Sequence, residues 1–175
     1  VGEMRDLAMV SFAVTAAETG HLVLGTVHTV SAETTVDRLI NVFPPPQQPQ
    51  IRTMLAESLR AVLCQHLIPR KDQPGRTIAV EVMLNNDALS NLIRKGKCFQ
   101  IPSVIATSRD VGMQSMDSEL MRLYREGKVA AEEAYIRAID KKVFEAAFGW
   151  TAESTKTTIT NPGRAAGASV VPAGA

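Results

Sequence analysis

Two cysteines, Cys64 and Cys98, are all the chain offers for disulfide or thiolate chemistry. Their separation suits neither a metal-ligand pair nor a disulfide framework, and fits a reducing, cytoplasmic setting. An excess of one charge is also missing. A net charge of +1 sets up no field for nucleic acid or an anionic membrane, so no nucleic-acid partner is expected. No apolar run approaches the ~20 residues of a spanning helix, which argues against membrane insertion. The opening Val1-Gly2-Glu3-Met4-Arg5-Asp6 has no initiator Met and none of the features of a signal peptide. It reads as the end of a buried strand entering a turn, so the chain is expected to begin inside a domain. Finally, no G-x-x-x-x-G-K-[ST] phosphate-binding loop occurs anywhere.

What is present suits a soluble globular protein: 45% apolar and 21% charged residues over 175 positions, enough to bury one core. Asp6 can cap a helix over 7–17, with Leu7, Val10, Val14 and Ala17 on one stripe and Gly20 ending it. Residues 21–29, apolar on both faces, read as a strand within a parallel sheet. A helix follows from Ser31, burying Val36, Leu39, Ile40 and Phe43, and Pro44-Pro45-Pro46 closes it. Ile51, Met54, Leu55, Leu59, Val62 and Leu63 form a stripe that predicts a helix over 50–66. Residues 70–76 are a turn and 77–84 a second strand. Short helices are expected near 87–95, 102–108, 115–126, 131–139 and 141–148. From Thr151 the Thr-, Ala-, Gly- and Pro-rich composition predicts a solvated tail. The pattern is α/β followed by an all-helical appendage, with divisions at 1–84, 85–149 and 150–175.

Chemistry concentrates near the start. An acidic residue at the C-terminal end of a sheet strand, here Glu3, stands where α/β folds place ligands. It could orient a water toward a phosphoryl group or hold Mg²⁺ through water. On these residues alone the plainer reading is a Glu3–Arg5 surface pair followed by an Asp6 cap. His21 and His28 flank the strand over 21–29, too far apart at ~3.3 Å per residue to share a metal. His28 emerges on the edge that Glu3 occupies if the strands run parallel, and could then donate to a phosphate oxygen; the alternative is a histidine tied to a loop carbonyl. His66 at the end of a helix reads as structural.

Taken in order, these segments resemble a known family. Gly2-Glu3-Met4-Arg5-Asp6-Leu7 resembles the end of the Walker B segment of the secretion ATPase superfamily. Thr19 to Thr29, reading TGHLVLGTVHT, is similar to that superfamily's histidine box. Residues 37–44, 52–62, 70–72 and 112–117 resemble the twitching-motility (PilT-type) pilus retraction branch, and the likeness covers about 1–148. The extension and type II secretion branches carry a four-cysteine zinc module, which Cys64 and Cys98 cannot build. One segment departs from the pattern. In Ala88–Lys95, Ser90 stands where the family has Arg and Lys95 where it has Glu, leaving open a paralogue with altered partner contacts.

The resemblance implies the second half of a RecA-like P-loop ATPase domain with a C-terminal helical subdomain. It implies a hexameric, cytoplasmic motor that uses ATP and Mg²⁺ to retract type IV pilus fibres against an inner-membrane platform protein. Glu3 would be the catalytic glutamate and His28 the sensor of the terminal phosphate, supported by Arg5, Asp6, His21 and Thr29. Asn91, Leu92, Ile93 and Arg94 would face partners. The phosphate-binding loop of that family lies upstream of the Walker B strand, so this chain alone is expected to be inactive. Two rivals stand beside this reading: an extension or secretion ATPase, and a non-catalytic α/β scaffold in which Glu3 and the histidines are structural.

Overall fold

The computed structural model describes residues 1–150; the expected tail from Thr151 lies outside the described residues. Helix α1 spans Leu7–Glu18, α2 Ala32–Asn41 and α3 Gln48–Ser58. A hairpin follows, of strands β1 (Ala61–Pro69) and β2 (Arg76–Leu84). Then come α4 (Asp87–Arg94), α5 (Ile101–Thr107), α6 (Met116–Arg125), α7 (Ala131–Arg137) and α8 (Lys141–Phe148).

Local chemistry explains most boundaries. The Asp6 carboxylate accepts from Met9 N at 2.9 Å and starts α1, while Gly20, at φ 92°, lets the chain leave it. Ser31 and Thr34 form a reciprocal capping box at the start of α2. Asn86 caps α4 by accepting from Leu89 N at 3.0 Å. In the hairpin turn, Arg70 grips Asp72 through Nε and Nη2, at 2.8 and 2.5 Å, and Arg70 N donates to Gly75 O.

The chain divides into two compact units. The first takes residues 1–66 and 78–119. Its core joins Val10 and Val14 of α1, Val36 and Ile40 of α2, and Leu55 of α3 to Met83, Leu89 and Ile93. The second takes 67–77 and 120–175. Among its described residues, Phe144 is fully buried and an aromatic chain runs from Tyr124 through Phe148 and Trp150 to Tyr135.

Two expectations are corrected. The helix expected over 50–66 stops at Ser58. Leu59 has ψ 127°, and Asn85 Nδ2 takes the carbonyls of Ala56 and Leu59 at 3.2 and 2.9 Å, closing the helix from a distance in sequence. Beyond it Val62, Cys64 and Ile68 are buried while Leu63 and Leu67 are exposed, the two-residue period of a strand paired with β2. The strand expected over 21–29 is extended chain without a full ladder. Its neighbour is only the short segment 1–4, and the hairpin is the only named sheet among the described residues.

Both thiols lie inside the first unit. Cys64 is 3% exposed and Cys98 2%; burial pushes both up, Cys98 to about 12. Thiolate is the reactive species, so neither cysteine should be alkylated appreciably by iodoacetamide at pH 8 until the protein unfolds. Rapid native-state modification of either, read by mass spectrometry, would contradict this packing.

Candidate functional site

The site is made where the chain's first residues lie beside residues 24–28. Val1 N donates to Leu24 O at 2.7 Å and Met4 N to Thr26 O at 2.9 Å, so the two segments run in the same direction. Thr26 Oγ1 also donates to Gly2 O. The Met4 side chain lies over Gly25, where a Cβ would stand 2.8 Å from Met4 Cε. The parallel passage brings Glu3 and His28 to one edge. There His28 Nε2 lies 2.6 Å from Glu3 Oε1, and Arg5 Nε pairs with the same oxygen.

The electrostatics follow from this crowding. The Arg5 guanidinium, with His28 adding to it, holds the Glu3 carboxyl below the usual carboxylate range, against the opposing effect of desolvation. Glu3 is therefore an anion at neutral pH. Its Oε1 is buried, enclosed by Arg5 and His28. The His28 side chain, 74% exposed, presents its ring to solvent beside it.

Helix α2 holds the loop that carries His28. Arg38 Nη1 donates to His28 O at 2.8 Å, and Thr29 Oγ1 lies 2.6 Å from Thr35 Oγ1. Arg38 and Thr35 had no role in the sequence reading. Their placement, one helical turn apart on α2, was the available signal. His21 stands apart from Glu3, at the end of α1, where its Nδ1 is 3.1 Å from Thr19 Oγ1. Asp6 caps α1. On α4, Asn91 and Arg94 are exposed, Arg94 lying 3.7 Å from Glu57, and Leu92 is half-buried. Ile93 is corrected: it is fully buried, because α4 turns that face onto the core with Leu89, and it is not available to a partner. Among the described residues no three of His, Cys, Asp or Glu converge on a metal position. No described helix is long and apolar enough to cross a membrane.

Residues 1–158 match the family model described as Type II/IV secretion system protein. The chain belongs to that family. Within it, a twitching motility protein of Neisseria gonorrhoeae is 49% identical over 138 residues, covering 79% of this chain and 37% of the relative. The type IV pilus retraction ATPase PilT of Pseudomonas aeruginosa is 47% identical, covering 79% and 40%. A crystal structure of the pilus retraction motor PilT with bound ADP superposes with a TM-score of 0.74 at 40% identity, over 83% of this chain and 40% of that one. The chain thus spans about two fifths of the length of these relatives. Its mixed helix and sheet fold is that of the C-terminal portion of a secretion ATPase domain, the second half of a RecA-like core with helical additions.

Because Arg5 is the chief cause of the Glu3 shift, Arg5→Ala should raise the Glu3 pKa toward its ordinary value by more than His28→Ala does. Glu3 ionisation favours the fold above the unfolded-state pKa, and this contribution is lost as pH falls through the depressed folded value. A carboxyl-carbon NMR titration reads both variants. Equal or reversed effects would place the dominant cation elsewhere.

Proposed function

We propose that this chain is the catalytic-edge portion of a secretion-family motor ATPase that powers type IV pilus retraction. The observation that carries the reading is the 2.6 Å approach of His28 Nε2 to Glu3 Oε1, which unites the two segments that resemble Walker B and the histidine box. Hydrolysis of a phosphoanhydride needs a water held in line and charge stabilised at the terminal phosphate. Glu3, kept anionic by Arg5, would orient that water and draw on its proton. His28, on an exposed rim, would donate to the terminal phosphate and report its loss through the loop that Arg38 and Thr35 hold. Arg5 positions Glu3, Asp6 fixes the start of α1, and His21 and Thr29 brace the ends of the extended segment.

ATP and Mg²⁺ are the proposed ligands. Glu3 is the carboxylate of this chain that would face the cation, through water. The phosphates would be cradled by backbone amides outside this chain's sequence, since no phosphate-binding loop occurs in it. Bound Mg²⁺ would neutralise charge developing on the phosphate oxygens. A homo-hexamer in the cytoplasm, docked on the inner-membrane pilus platform protein, completes the reading. Residues 1–84 would belong to the nucleotide-facing core. The helical stretch over 85–149, with Asn91, Leu92 and Arg94 on α4, would face subunits and partner. The Glu3–Arg5 pair alone, with Arg5 exposed and Glu3 half-buried, also fits a second reading, a non-catalytic α/β scaffold with an ion pair near its surface.

Glu3→Gln in the full-length protein separates the two. The amide keeps the shape but not the charge, so ATP should still bind while hydrolysis falls roughly 10²-fold or more, the range of general-base catalysis. Steady-state turnover within threefold of wild type, with assembly intact, would leave the scaffold reading in possession.

Residues 1–175 alone should show no micromolar affinity for Mg-ATP by titration calorimetry. Tight binding there would require a phosphate site built from this chain.

A further inference from the structure

A carboxylate buried to 3% exposure is costly unless its oxygens are occupied, and Glu81 of β2 is such a group. Its Oε1 accepts from Ala32 N at 2.8 Å and its Oε2 from Met116 N at 3.4 Å. These donors are the first residues of α2 and α6, whose leading N–H groups have no partner within their own helices. The positive ends of both helices favour an anion there. Burial pushes the carboxyl upward, aided by Asp117 and Glu33, while the two backbone donors pull it back.

Each donor stands in a tied segment. The chain before α6 is fastened to β2, with Val82 N on Gln114 O at 2.8 Å, Gln114 N on Val82 O at 3.0 Å, and Gln114 Nε2 on Val80 O at 2.7 Å. On the other side, the first turns of α2 carry Thr35 and Arg38, which hold Thr29 and the His28 carbonyl. The contacts form one sequence: Gln114 on β2, Glu81 on Ala32, α2 on His28, His28 on Glu3.

We propose that Glu81 is a positioning residue for the phosphate-sensing loop, anchoring the N-terminus of α2 to β2 and to the start of α6 so that His28 is held against Glu3. This rests on the ATPase reading above. Glu81 touches neither reacting atoms nor His28, so its loss acts through the loop, on turnover and not on nucleotide affinity.

In the full-length protein, Glu81→Gln keeps one oxygen for Ala32 N, but its amide nitrogen cannot accept from Met116 N. Turnover should fall roughly tenfold, the size of one hydrogen bond to a charged group, with KM for ATP within about threefold. The deciding readout is the double variant with His28→Ala. If Glu81 acts through His28, adding Glu81→Gln to His28→Ala lowers turnover by no more than about twofold further. A merely structural Glu81 would lower turnover by the same factor in both backgrounds, and that result, or unchanged turnover in the single variant, overturns the proposal. Should Glu81→Gln fail to fold, Ala32→Pro removes the donor in place of the acceptor. Ser31 is already extended at φ −145°, ψ 160°, and the first helical position accepts proline. The same non-additivity with His28→Ala is expected, and additivity again overturns the proposal. Glu3→Gln measured in parallel distinguishes the failures. Retained hydrolysis there removes the ATPase reading and this inference with it, whereas abolished hydrolysis with additive Glu81 and His28 losses removes this inference alone.

Discussion

The first turn of α2 is where the structure resolves its most demanding polar accounting. A helix start leaves four N–H groups without internal partners, and this one is packed into the core at Ala32, which is fully buried. Water cannot reach the buried Ala32 N–H, so the protein must satisfy it. Ser31 and Thr34 satisfy each other locally, and a carboxylate 49 residues away takes the Ala32 N–H. Once the turn is fixed, Thr35 and Arg38 have fixed directions, and the extended chain leading into the helix has only one place to lie. The site edge inherits its geometry from this turn.

That dependence explains why a segment with so little sheet around it still has a defined course. Residues 21–29 receive backbone hydrogen bonds from Val1 and Met4; Val23, Val27 and Thr29 are half-buried, Val27 against the core, while Leu22 and Leu24 are 83% and 75% exposed. Apolar side chains so placed gain nothing from solvent contact. The hydrogen bonds, the hold from α2 and the packing of Val27 on the core together set the path of this stretch.

Helices with a clear apolar stripe and a cap were legible in the sequence: 7–17, the stretch from Ser31, and the five short helices after Asn86 all appear within a few residues of their expected bounds. Legibility failed where a stripe was ambiguous. Leu59, Val62 and Leu63 continue the three-and-four spacing set by Ile51 and Leu55, yet Asn85 ends the helix and β2 imposes pairing from outside the window. The same distinction holds for the site. Glu3 and His28 were legible because each sits in a local pattern carrying chemistry, and the structure brings them together. Arg38 binding the His28 carbonyl, and Glu81 reaching Ala32, are pairings between remote residues that no local period encodes. Ile93 shows the converse: its motif suggested a partner surface, while its position on an amphipathic helix committed it to the core.

The burial of Cys64 and Cys98 has a practical meaning beyond packing. Every thiol in the 175 residues is one of these two, and both are withdrawn from solvent with protonation favoured. The native chain is therefore a blank background for site-directed spectroscopy. A single cysteine placed at an exposed position such as Leu24, on the strip beside Glu3, would take a spin label or fluorophore without first deleting native residues. The distance from that strip to a second label on α4 would then report any movement of the segment beside Glu3 within these 175 residues.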